Sequence, residues 1–95
     1  WSLSPAFDIT WSFNPAGDWT ATHQMSVNGK RDQFTRADLI AVGRSALLKR
    51  GRAEAIAAEE ISAVRDWPLY AAEADVAEES SSQIQASHRL DVLLQ

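Results

Sequence analysis

Apolar and polar positions follow two different rhythms along this chain, and the change comes at Thr35. Before it, Trp1 and Leu3 alternate with serines, as at the end of a strand. Pro5 and Pro15 exclude a helix there, because each pushes the preceding residue toward extended backbone. Asn14-Pro15-Ala16-Gly17-Asp18 is a turn cluster. His23-Gln24-Met25-Ser26-Val27 alternates again and predicts a short half-buried strand or extended segment. Asn28-Gly29 supplies a turn, since both residues tolerate positive φ. Lys30 to Phe34 does not alternate, so no hairpin is expected.

From Thr35 the period becomes helical. Thr35 is a good N-cap, and Asp38 stands in the place of a capping-box acid. Leu39, Ile40, Gly43 and Leu47 share one face, which predicts a helix from about Arg36 to Leu47 or Leu48, ending before Gly51. A second helix carries Ala53, Ile56, Ala57, Ile61 and Val64 on its apolar face and stops or kinks near Trp67-Pro68. Leu69 to Ala74 adds one or two turns, and Asp75-Val76 is a break. A last helical segment starts at about Ala77. Its stripe of Ile84, Ala86, Leu90, Leu93 and Leu94 is loose, and Ser80-Ser81-Ser82 weakens it. The expectation is a mainly α fold led by a short extended N-terminal segment. Residues 1–29 form that extended part, and residues 30–95 the helical part.

Composition adds limits. The chain of 95 residues is 45% hydrophobic and 23% charged, as in a globular protein. This length allows one domain or part of one. No apolar run is long enough to cross a bilayer, so no membrane role is expected. The absence of cysteine excludes a disulfide framework and a thiolate zinc site, and it agrees with a cytoplasmic location. The net charge of −4 is uneven. Residues 30–52 carry an excess of basic groups, including Lys49, Arg50 and Arg52, whereas residues 53–95 are strongly acidic. A basic stretch of this kind either makes a solvated face or meets an anionic partner. Lys49, Arg50 and Arg52 are expected to close the first helix, where cations complement its dipole; the functional reading is contact with nucleic-acid phosphate or an acidic protein.

Candidate chemistry is sparse. His23 and His88 lie far apart without companions at metal-ligand spacing. No Gly-x-Ser-x-Gly elbow and no glycine-rich phosphate loop is present. Glu59-Glu60 and Glu78-Glu79 diverge around their helices and read as surface charge. Trp67 reads as a core anchor. Asp8 remains: a carboxylate after a Ser-Pro bend, between Phe7 and Ile9. It either ends a turn or serves as a hard oxygen ligand for Mg²⁺ at the edge of a cleft.

Two stretches carry a family likeness. Trp1-Ser2-Leu3-Ser4-Pro5-Ala6-Phe7-Asp8-Ile9-Thr10 resembles the Leu-x-Pro-x-Tyr-Asp segment of the HipA-like serine/threonine kinases, the toxins of type II toxin–antitoxin modules. Met25-Ser26-Val27-Asn28-Gly29-Lys30-Arg31, followed by the Thr-capped helix with Asp38-Leu39-Ile40, is similar to what comes after it. The resemblance implies a helical C-lobe fragment of a kinase-like fold. It implies that Asp8 is the Mg²⁺-binding Asp and that Phe7, in place of the usual Tyr, packs behind the metal site. The catalytic Asp, the ATP-binding Lys and the phosphate-covering loop all belong upstream, so no catalytic residue is expected in these 95 residues. Mg²⁺ and ATP are then cofactors of the parent protein, and none is expected to bind the fragment tightly. The implied partners are a protein substrate, a helix-turn-helix antitoxin and, mainly through that antitoxin, operator DNA. The alternatives are a helical interaction module without kinase activity and a helical domain unrelated to kinases.

Overall fold

The computed structural model describes residues 1–95. Helix α1 spans Arg36–Ser45, α2 Arg52–Arg65, α3 Trp67–Glu73 and α4 Glu78–Ala86, and a 3₁₀ turn covers Val92–Leu94. The fold is mainly α. Residues 1–13 have no regular structure, and the only β pairing is an isolated antiparallel bridge between Val27 and Lys30.

That bridge corrects the reading of Lys30 to Phe34. Val27 and Lys30 exchange both backbone hydrogen bonds, at 2.7 and 3.0 Å. Asn28 and Gly29 hold φ of 52° and 75°, the paired positive values of a two-residue hairpin turn. The hairpin is minimal because a single turn suffices to close it; no strand alternation follows.

Helix α1 starts as its capping box requires. The Asp38 N–H donates to Thr35 Oγ1, and the Asp38 carboxylate accepts from the Thr35 N–H at 2.8 Å. It ends earlier than its apolar spacing predicts. Leu47 adopts φ 59°, its N–H donates to Arg44 O, and Leu48 N–H reaches back to Gly43 O at 2.9 Å. These are the two bonds of a Schellman motif with Leu47 at the left-handed position. Leu47 therefore leaves the core face and is 91% exposed. A β-carbon in that backbone conformation costs about 1–2 kcal/mol. Leu47→Gly relieves it, offset in part by the greater freedom of glycine in the unfolded chain. The expected result is a gain of about 0.5–1 kcal/mol in urea unfolding.

Helices α1 and α2 pack closely because Gly43 faces Ala53. A β-carbon at Gly43 would lie 2.7 Å from Ala53 Cβ. Ala53, Ile56, Ala57 and Ile61 are half-buried along α2 as their spacing predicts, but Val64 is exposed. Pro68 does not kink α2. It stands in the first turn of α3, where a missing N–H costs nothing. The break at Asp75-Val76 is a second Schellman closure, with Asp75 at φ 56° and Val76 N–H donating to Ala71 O. Helix α3 packs on α4, and the 3₁₀ turn touches α1 and α2.

Only Asp38, Gly43 and Ala71 are fully buried. The accessible surface is 8043 Å², against about 5,400 Å² for a compact monomer of this mass. Trp1, Leu3, Phe7, Ile9, Trp19 and Met25 contribute to the excess, each more than three-quarters exposed.

Candidate functional site

Asp38 is the most highly connected side chain of the molecule. Its Oδ1 accepts from Asn28 Nδ2 at 2.8 Å. Its Oδ2 accepts from Lys30 Nζ and from the Thr35 N–H, both at 2.8 Å, and from Thr35 Oγ1 at 3.0 Å. The tight turn is what brings Asn28 and Lys30 to the helix start. The Lys30 ammonium first, then the Asn28 amide and the Thr35 N–H, hold the Asp38 carboxyl far below the usual carboxylate range. Oδ2 takes three donors and Oδ1 one, and the side chain is 5% exposed, so this acid is a structural node. Sequence spacing identifies only its capping-box half.

Asp8 stands elsewhere. It lies at φ 54° in the segment without regular structure, and both it and Phe7 are exposed. Phe7 is 85% exposed and Asp8 makes no hydrogen bond or ion pair. No group of three or more His, Cys, Asp or Glu side chains comes together in a way that could hold a metal ion. A single carboxylate serves Mg²⁺ only where water, phosphate or further protein oxygens complete its octahedron.

The basic residues fall in a different place from the one their spacing predicts. Helix α1 stops at Ser45, so Lys49 and Arg50 lie in the connection after it and Arg52 is the first residue of α2. They stand at a helix start, where a positive charge opposes the dipole. Arg52 is 3.6 Å from Glu59 and offsets part of this. Gly51, at φ 81°, caps α2 without a side-chain hydrogen bond. Arg44, Lys49 and Arg50 border a shallow groove of about 590 Å³ between α1 and α2, next to Gly43 and Ala53.

A larger open groove of about 1160 Å³ separates the N-terminal segment from the C-terminal end. Trp11, Phe13, Trp19, His23, Phe34 and His88 are among its walls. The two histidines, distant in sequence, thus share one groove. The His23 ring is tilted against Phe34 at 5.5 Å, and the His88 ring meets Trp67 edge-on at 6.0 Å. His88 Nδ1 is buried without a hydrogen-bond partner. Trp11 Nε1 donates to Ser87 Oγ at 3.1 Å, and Arg89 pairs with Asp32. Hydrogen bonding by Arg89 lowers the Asp32 pKa. None of these long-range pairings has a signal in local spacing.

No family model, no curated protein and no solved structure matches this chain. No helix is long and apolar enough to cross a membrane.

Proposed function

We propose that this chain is the helical C-lobe part of a HipA-like serine/threonine protein kinase. In this reading the parent transfers the γ-phosphoryl of ATP to a protein, and Asp8 contributes one carboxylate to Mg²⁺. The other metal oxygens come from the upstream catalytic body, the nucleotide and water. The observation that carries the reading is the segment Ser4-Pro5-Ala6-Phe7-Asp8. It resembles the family's metal-binding stretch and lies on a face that the helices leave uncovered. Phe7 and Ile9, exposed here, are available to pack against the rest of a catalytic body. The 95 residues alone have no kinase activity in this reading, because positioning and charge neutralisation need the upstream parts.

The basic connection favours a partner-binding role in addition. Lys49 and Arg50 make no ion pair and are exposed in the connection between α1 and α2, which suits an acidic face of a helix-turn-helix antitoxin bound to operator DNA. An interaction module without kinase activity rests on the same residues.

The test is phosphorylation by the parent chain, autophosphorylation included, with and without Asp8→Ala. The expected result is activity in the parent and none in the variant, with the helical circular-dichroism signal unchanged. Equal activity in both removes Asp8 from the chemistry. A parent that binds the antitoxin but phosphorylates nothing leaves the interaction module.

A further inference from the structure

The chain holds two asparagines, Asn14 and Asn28, and one of them can react with its own backbone. An asparagine loses its amide when the nitrogen of the next residue attacks the side-chain carbonyl carbon. Asn14 precedes Pro15, whose nitrogen carries no hydrogen to give up. Asn28 precedes Gly29, which has no side chain to crowd the attack. Both residues are exposed, and nothing lies within 4 Å of where a Gly29 β-carbon would stand. The Gly29 N–H makes no hydrogen bond within the chain, which leaves it open to hydroxide.

The same amide is a working part of the junction between the turn and α1. Asn28 Nδ2 donates to Asp38 Oδ1 at 2.8 Å, which ties the carboxamide to the start of the helix. The two bonds between Val27 and Lys30, with φ of 52° at Asn28 and 75° at Gly29, hold the Gly29 nitrogen in the turn. Attack needs Asn28 Cγ to swing onto that nitrogen, so the turn must open first. Once the amide is gone, the junction cannot close as before. A carboxylate at position 28 has no hydrogen to give Asp38 Oδ1 and sets a like charge beside it. The Lys30 ammonium, already on Asp38 Oδ2, offsets that charge only in part.

We infer that Asn28-Gly29 is a site of spontaneous deamidation, held in check by the closed turn, and that the modification opens the junction with α1 for good. The Gly29 nitrogen, its proton taken by hydroxide, bonds to Asn28 Cγ. The Cγ–Nδ2 bond breaks, and the amide nitrogen takes a proton from water and leaves as ammonia. Water then opens the cyclic imide at either carbonyl. The net exchange is a side-chain amide and a water for a carboxylate and an ammonium ion. Opening at the backbone carbonyl routes the chain through the side chain and adds a methylene to it. Val27 and Lys30 then lose the register of their paired bonds. Opening at Cγ keeps the backbone and adds the charge alone. The change runs one way, because the ammonia is lost to solvent. The inference does not rest on the kinase reading, and its test reads mass and amide exchange instead of phosphorylation.

The test is incubation of the 95-residue chain in mildly alkaline buffer, with and without guanidinium chloride, followed by peptide mass spectrometry and enzymatic methylation of isoaspartate. Isoaspartate is expected at position 28 and none at position 14. It should form at least about tenfold faster in the denaturant than in the native chain. The native product with the longer backbone, separated by ion exchange, should lose protection at the Lys30 amide at least about tenfold. Asn28→Asp carries the charge on an unaltered backbone and should lose at least about threefold there. A native chain that forms no isoaspartate at position 28 overturns the inference. Equal rates with and without denaturant remove the check by the turn, and undiminished protection at Lys30 in the separated product removes the opening of the junction.

Discussion

Asp38→Ala is expected to melt the first turn of α1 and release the Asn28-Gly29 turn together. One carboxylate satisfies the Asn28 amide, the Lys30 ammonium and two groups of Thr35, at 2.8 to 3.0 Å. Its loss leaves those donors without their common acceptor where the side chain was 5% exposed. The thermal midpoint should fall by more than ~5 °C, with loss of protection at the amides of Lys30 and Asp38. A fall smaller than that of Thr35→Ala would show that the capping box, and not the turn-to-helix junction, is what matters. The pH dependence follows from the same contacts. The folded Asp38 pKa lies below the unfolded value of 3.8, so the unfolded chain takes up the proton first as the solution is acidified. The stabilisation is complete above that value and is lost as pH falls through the folded pKa. Asp32, lowered by Arg89, acts in the same direction. Asp38→Asn should therefore flatten the fall of stability below about pH 4 relative to the wild type.

Trp67→Ala is expected to detach α4. That helix is weak by itself: three serines run through it, Ala77 caps it without a side-chain bond, and none of its residues is fully buried. Trp67 fastens it from α3. Its Nε1 donates to Ser81 O at 3.0 Å, and its half-buried ring meets His88 edge-on at 6.0 Å. Complete removal of a core indole costs about 3–5 kcal/mol, and a half-buried one about 2–3. Amide exchange of Gln83 to Ala86 should rise with the fall in stability. Trp67→Phe keeps most of the packing and loses the hydrogen bond alone, for about 1 kcal/mol. If the phenylalanine variant costs as much as the alanine one in urea unfolding, the bond to Ser81 and not the ring holds α4.

Local pattern made much of this fold legible. Thr35 and Asp38 announced the start of α1, and Ala53, Ile56, Ala57 and Ile61 the half-buried face of α2. Leu47 and the basic residues show where that legibility stops. Spacing placed Leu47 on the core face of α1, but the Schellman closure turned it outward. It also moved Lys49, Arg50 and Arg52 from the end of one helix to the start of the next. Asp8 came to notice through a resemblance, and no group of three or more His, Cys, Asp or Glu side chains gathers around it.

What the sequence by itself determined is the mainly α character, the starts of α1 and α4, and the turn at Asn28-Gly29. These rest on interactions between residues three or four apart, or on the φ preferences of single residues, so neighbouring letters carry them. Only the tertiary structure decided that Asp38 joins the turn to α1, that Trp67 holds α4, and that His23 and His88 border one groove. Those contacts join residues separated by a turn or by several helices. Their distances depend on how the chain folds back, which no local spacing encodes.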